Sequence, residues 1–365
     1  MTPLAERLPE FPWDRLAPFA EIARSHTDGV IDLSIGTPVD PVPDLIQAAL
    51  VQGANAPGYP LTAGTMDLRA AVVAWAARTL GAAVPLSGVL PTIGSKELVS
   101  LLPTLLGLSR GDVVAIPEIA YPTYDVGAQI AGCTVLASDS IADWERAGAA
   151  LVWLNSPSNP SGRVLGADQL ATIVDWARAH DVIVASDECY FELGWSVQPV
   201  SILDPAVCGD SLAGVLAVHS LSKRSNLAGY RTGFVLGDPG LVQPLLEARK
   251  HIGLMVPAPI QAAAIAALGD DSHVRAQRER YQVRRDLLWT ALVSAGFAIE
   301  HSDAGLYLWA TRGESCWDSL RWLADHGILA APGEFYGASG NQHVRVALTA
   351  TDERIAAAVR RLQPA

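Results

Sequence analysis

Lys223 ends an apolar run, AVHSLSK, and Arg231 follows it inside LAGYRTG. Most lysines are solvated, and taken alone this one reads as a surface residue. In a pocket, desolvation and nearby positive charge disfavour the ammonium, freeing the amine to act as a nucleophile or base and to form a Schiff base. Asp187 likewise ends VIVASD, where a buried carboxylate is costly unless it meets a cation. The plain alternative is an ordinary strand-end aspartate. Anion-binding features accompany them. Gly94 and Ser95 in TIGSKEL stand at a strand-to-helix turn whose free N–H groups and dipole favour a phosphate. Ser220 offers a hydroxyl, and Arg231 a guanidinium fork suited to phosphate. The stretch NSPSNPSG at 155–162 reads alone as a turn.

These residues share a position, because each stands at or after the end of an apolar segment. VLPTIG (89–94), DVVAIP (112–117), ALVWLNSP (150–157), VIVASDE (182–188), GVLAVHSLS (214–222) and GYRTGFVLGD (229–238) read as strands. Helical stretches lie between them, as where Leu170, Ile173, Val174 and Ala177 recur at helical spacing. Continuous apolar strands alternating with helices imply an α/β domain around a mostly parallel, doubly covered sheet. Ligands of such sheets sit beyond the carboxyl ends of the strands. After MVPAPIQ the pattern changes to a charged helix (SHVRAQRERYQVRRDLLWTALVSAG), a strand (GLYLWAT) and a last segment HVRVALTATDERIAAAVRRL, which is a smaller α+β unit. The expected division is an arm and part of the small unit over 1–40, a large unit over 41–256 and a small C-terminal unit over 257–365.

Half of the 365 residues are hydrophobic, 18% are charged, and the formal net charge is −12. That balance disfavours disorder and a nucleic-acid partner, which needs a surplus of Lys and Arg. Cys133, Cys189, Cys208 and Cys316 are scattered, so neither a disulfide framework nor a metal site is expected. MTPLAERLPEFPWDRLAP lacks the apolar stretch of a secretory signal, and no later run reaches the roughly 20 apolar residues of a membrane span. The expectation is a soluble cytoplasmic protein without a membrane partner.

The ordered set N-P-S-G at 159–162, D-E-C-Y at 187–190, S-L-S-K at 220–223 and then Arg231 resembles the class I/II aminotransferases among the fold-type I pyridoxal 5'-phosphate enzymes. The resemblance covers nearly the whole chain. DLSIGTPVDPVPDLIQAAL, APGYPLTAGTMDLR, LNSPSNPSGRVLG and SDAGLYLWATRGE, among others, are similar to the actinobacterial N-succinyldiaminopimelate aminotransferases of lysine and diaminopimelate biosynthesis. This implies a succinyldiaminopimelate transaminase: the amino group of L-glutamate passes to N-succinyl-2-amino-6-oxopimelate, with 2-oxoglutarate released. It also implies a homodimer with its active site at the subunit interface.

By that resemblance Lys223 is the lysine that bonds to the cofactor and moves the substrate proton. Asp187 pairs with the pyridine nitrogen, while Asn159 and Tyr190 hydrogen-bond the ring oxygen. Gly94, Ser95, Lys96, Ser220 and Arg231 surround the phosphate, Tyr121 stacks on the ring, and Tyr59 reaches the partner's phosphate. Arg345 clamps the substrate α-carboxylate and Gly36 approaches the substrate closely. For a distal carboxylate the candidates are Lys96 and then Arg163, each of which also reads as a surface charge. The N-terminal stretch from Phe11 to Phe19 reads either as a cover for the pocket or as a packed arm. Competing readings are another pyridoxal-phosphate transaminase or lyase with a different substrate, and a cofactor-sensing regulatory module.

Overall fold

The computed structural model describes residues 3–363. Its strands are β1 (Ile31–Asp32), β2 (Val89–Thr92), β3 (Val113–Ile116), β4 (Thr134–Ala137), β5 (Ala149–Asn155), β6 (Ile183–Asp187), β7 (Val215–Ser220), β8 (Gly233–Gly237), β9 (Ala298–Ile299), β10 (Tyr307–Thr311), β11 (Ile328–Leu329), β12 (Ala331–Pro332) and β13 (His343–Ala347). Seven form one sheet in the order β2-β8-β7-β6-β5-β3-β4. All neighbours in it run parallel except β8, which is antiparallel to both β2 and β7. Helices cover both faces, so β7 is buried at every position, which is why its sequence is an apolar run rather than an alternation.

Two strand readings change. Thr134–Ala137 adds the edge strand β4, whose residues are only half-buried or exposed; its short, mixed sequence carries little strand signal. The expected strand at 229–238 starts at Gly233, because Ala228–Tyr230 forms a 3₁₀ turn and Arg231 adopts a left-handed φ of 54°.

A second, antiparallel sheet has the order β12-β13-β10-β9, and β1 pairs parallel with β11. Leu16, Ala20, Ile31 and Leu33 share a core with Leu306, Leu308, Val344, Val346 and Ile355. The N-terminal segment is therefore held by the C-terminal part of the chain. The helix Ala258–Gly269, just after the expected change of unit at 257, buries Ala263, Ala264, Ala267 and Leu268 in the core of the large sheet. Among the described residues no helix is long and apolar enough to cross a membrane.

The large sheet has a functional consequence. Asn155 and Asp187 are register partners at the ends of β5 and β6, and Ser220 ends the adjacent β7. Three polar groups thus stand together at the carboxyl edge.

Candidate active site

A cavity of about 1410 Å³ opens beyond that edge, lined by residues of both cores. Lys223 enters it from a four-residue helix, Leu221–Arg224, which Ser220 caps by accepting the Ser222 N–H at 3.1 Å. Its Nζ donates to the carbonyl oxygen of Gly36. Burial holds the Lys223 amine below its ordinary pKa of 10.5; Tyr307 opposes this, while Arg345 and Arg231 add to it. The amine is thereby made available for nucleophilic or base chemistry.

Asp187 accepts hydrogen bonds from Tyr124 Oη at 2.9 Å and from the Cys189 N–H at 3.1 Å. Burial nevertheless raises its carboxyl above the ordinary 3.8. A carboxyl in that state gains most from a cation arriving beside it.

A helix-start turn with free N–H groups also borders the cavity. Gly94 has a φ of +68° at the start of the helix Gly94–Leu105. A Cβ at this position would lie 2.2 Å from Arg231 Nη2, so the guanidinium rests directly on the glycine. The left-handed turn at Arg231 brings it there, and its Nη1 donates to the Ala228 carbonyl oxygen at 2.9 Å. Ser95, Ser220, Ser222 and Arg231 line the cavity, with Gly94 against Arg231.

Arg345, on β13, is 3% exposed. Its Nη1 donates to Asn159 Oδ1 at 2.9 Å and its Nη2 to the Ser34 carbonyl oxygen at 2.6 Å. The guanidinium carbon lies 3.9 Å from the Tyr307 ring centroid and 5.0 Å from that of Tyr336. Arg345 Nε and Tyr336 Oη are buried without partners, polar atoms that an entering carboxylate would satisfy. Tyr190 and Tyr307 join through their hydroxyls at 3.2 Å. Burial, the first influence on Tyr307, raises its pKa, but Arg345 and Lys223 together bring it below the ordinary value.

Gly36, Ser95, Lys96, Tyr121, Asn159, Asp187, Tyr190, Ser220, Lys223, Arg231 and Arg345 all line this one cavity. Three candidates do not: Gly94 is buried under Arg231, and the other two lie farther out. Tyr59 is 97% exposed, and Arg163 is exposed away from the cavity. The N-terminal stretch contributes Phe11, Trp13 and Arg15 to the mouth, with Lys96 Nζ 5.8 Å from the Phe11 ring centroid. Sequence reasoning missed Ser34, Tyr124, Tyr307 and Tyr336. The paired tyrosines of AYPTYDV pointed toward Tyr124, whereas Ser34, Tyr307 and Tyr336 meet the site through contacts that no local pattern encodes.

The family model described as Aminotransferase class I and II matches residues 28–362. The chain is 62% identical over 356 residues to a probable aminotransferase of Mycobacterium tuberculosis, covering 97% of this chain and 85% of the relative. It is 56% identical over 355 residues to the 4-dedimethylamino-4-oxo-anhydrotetracycline transaminase of Streptomyces rimosus, covering 97% and 99%. The solved structure of a probable N-succinyldiaminopimelate aminotransferase from Thermus thermophilus superposes with a TM-score of 0.87 at 26% identity, covering 96% of this chain and 99% of that one.

The donor set fits pyridoxal 5'-phosphate, the cofactor of this family. Its phosphate could be taken by the serines and Arg231, its pyridine nitrogen by Asp187, its ring oxygen by Asn159 and Tyr190, and its aldehyde carbon by Lys223. The cradle at Gly94 admits no side chain. On its sequence, its fold and this constellation, the chain belongs to the class I and II aminotransferases, enzymes that depend on pyridoxal phosphate.

Proposed function

We propose that the chain transfers the amino group of L-glutamate to N-succinyl-2-amino-6-oxopimelate, acting in the cytoplasm as a homodimer. The observation that carries the transaminase reading is the meeting of an amine whose charged form is disfavoured by burial, Lys223, with a buried arginine fork, Arg345, in one cavity.

Pyridoxal phosphate, when bound, supplies the electron sink that takes up the pair released as the substrate Cα–H bond breaks. Asp187 would hold the pyridine nitrogen in its protonated form, since a carboxylate whose burial is unfavourable gains by pairing with a cation. Lys223 would take the proton from the substrate Cα as a general base and, as a general acid, deliver it to the cofactor's aldehyde carbon, the transfer that leaves the amino group on the cofactor and releases the keto acid. Arg345 would bind the α-carboxylate through its planar fork, fixing which bond at Cα faces Lys223. Asn159 and Tyr190 would hold the ring oxygen, and Tyr121 the ring face. Ser95, Ser220 and Arg231 would hold the phosphate, with the helix N-terminus beneath it.

Three observations support the finer assignment. The cavity of about 1410 Å³ leaves room for an extended substrate beside the cofactor, since ligand pockets usually run from roughly 300 to 1,000 Å³. Lys96 faces it with its ammonium close to Phe11 and in none of the observed salt bridges, so a distal or succinyl carboxylate has a partner. The Thermus thermophilus structure carries the corresponding name. A second reading, amine transfer to an extended ring ketone, is favoured by the Streptomyces rimosus relative and by Phe11, Trp13, Tyr121 and Phe335 on the cavity wall. The homodimer is supported by Tyr59, Leu61, Met66 and Ile252, large apolar side chains left 97%, 65%, 57% and 57% exposed in the single chain. Such a surface fits a second copy, whose cavity Tyr59 would enter.

The test presents the glutamate-converted enzyme with N-succinyl-2-amino-6-oxopimelate and, separately, with a polycyclic ketone, and measures the aminated product. Preferential amination of the succinylated acceptor, with its KM raised in Lys96→Met, is expected. Exclusive amination of the ring ketone replaces the first reading by the second.

A further inference from the structure

The anion-binding turn contains its own contradiction. Glu97 lies in the first turn of the helix Gly94–Leu105, and its Oε2 accepts the Ile93 N–H at 3.2 Å. Such a back-turned glutamate satisfies an otherwise orphaned helix-end donor. It also sets a negative charge behind the turn on which a phosphate dianion would settle, and like charges so placed oppose each other.

Arg249 resolves the conflict. It comes from a different helix, Pro239–Ile252, and its side chain is 0% exposed. Nη1 donates to Glu97 Oε1 at 2.5 Å and Nη2 to Glu97 Oε2 at 3.2 Å, a two-point grip on the carboxylate. Nη2 also reaches the Leu254 carbonyl oxygen at 3.4 Å, and neither Glu97 nor Arg249 lines the cavity. Arg231 meets the same turn from the cavity side, over Gly94. Buried ion pairs of this kind add little stability over well-packed apolar residues. Stability alone therefore does not explain a fully buried arginine under this turn.

We propose that Arg249 is a positioning residue for the cofactor phosphate: by neutralising and fixing Glu97 it keeps the turn Ile93–Lys96 open to an anion, while Arg231 supplies the binding charge. The inference rests on the assignment of this turn and Arg231 to the phosphate. A lone stabilising pair and a phosphate-tuning pair differ in one respect, because only the second discriminates between a phosphorylated and an unphosphorylated ring.

The experiment titrates the cofactor-stripped full chain with pyridoxal 5'-phosphate and with pyridoxal, and reads the ratio of the two dissociation constants. Arg249→Met leaves Glu97 charged and unpaired, and its preference for the phosphorylated ring should fall about tenfold, an effect expected of one uncompensated charge near an anion site. Glu97→Gln should move the preference the other way, because Arg249 then faces the turn unneutralised. The double variant R249M/E97Q should return to within about threefold of the unmodified chain, as expected for two directly coupled residues. Equal losses for both rings in R249M, or the same direction of change in R249M and E97Q, overturn the proposal. Should R249M fail to fold, the sign of the E97Q effect decides alone. An unmodified chain with no preference for the phosphorylated ring removes the phosphate assignment itself, and the proposal with it.

Discussion

Gly36→Ala adds a single methyl, and the structure gives it nowhere to go. Its ideal position is 2.0 Å from Tyr307 Oη and 2.6 Å from Tyr307 Cε1 and Cζ. Tyr307 is 4% exposed, meets Tyr190 Oη at 3.2 Å, and lies 3.9 Å beneath the Arg345 guanidinium. Retreat of the ring would disturb both partners. Movement of the main chain instead carries away the Gly36 carbonyl that receives Lys223 and, close by, the Ser34 carbonyl that receives Arg345 at 2.6 Å. Overpacking of this kind costs about 1–3 kcal/mol of stability, and displacement of a substrate-orienting group by about 1 Å costs about 10²-fold in rate. The three atoms nearest the added methyl all belong to Tyr307 and none to the turn at Gly94 proposed to hold the phosphate. The expected result is therefore a modest loss of thermal stability and a drop of about 10²-fold in kcat/KM for L-glutamate, with pyridoxal phosphate affinity changed by less than about threefold. Single-turnover kinetics and a cofactor titration measure the two effects separately. A kcat/KM within about twofold of the unmodified chain, or a parallel loss of cofactor affinity, would refute the packing argument.

Asp187→Asn removes the charge proposed to pair with the pyridine nitrogen; breaking a buried pair costs about 3–5 kcal/mol, so single-turnover rates with glutamate should fall about 10²–10⁴-fold while the protein stays folded. Arg345→Lys keeps the charge but loses the fork to Asn159 and Ser34, and kcat/KM for glutamate should fall at least about tenfold with unchanged cofactor affinity; an unaltered KM would assign the α-carboxylate elsewhere. Only the free amine of Lys223 is nucleophilic, and burial lowers its pKa from 10.5. Covalent capture of pyridoxal phosphate by the cofactor-stripped chain should thus rise with pH and level off below 10.5. A rate still climbing there contradicts a desolvated lysine.

The chemistry readable in the sequence was that of strand ends. Asn159, Asp187, Ser220 and Lys223 follow apolar runs, and the parallel sheet delivers such positions to one edge regardless of the distance between them along the chain. Arg231 was legible as a charge, but its left-handed turn and its seat over Gly94 were not. Ser34, Tyr307 and Tyr336 join the site through side-chain contacts between segments far apart in sequence, which periodicity does not encode. Glu97 and Arg249 were hidden for the same reason: each looks like an ordinary charged helix residue until the two helices cross. The edge strand β4 escaped because a half-exposed edge needs no apolar run. Ala258–Gly269 read as the start of the smaller unit because the chain's pattern changes there, although its alanine-rich sequence packs closely against the large core.

The most direct test of the central claim is a visible absorbance spectrum of the full chain with pyridoxal phosphate, recorded before and after L-glutamate and then after 2-oxoglutarate, beside Lys223→Ala. The unmodified chain should show a band of covalently held cofactor that glutamate bleaches and the keto acid restores, and K223A should bind the cofactor weakly without either response. A K223A chain that cycles at the unmodified rate, or an unmodified chain with no band at all, would contradict the assignment of Lys223 and the active site built around it.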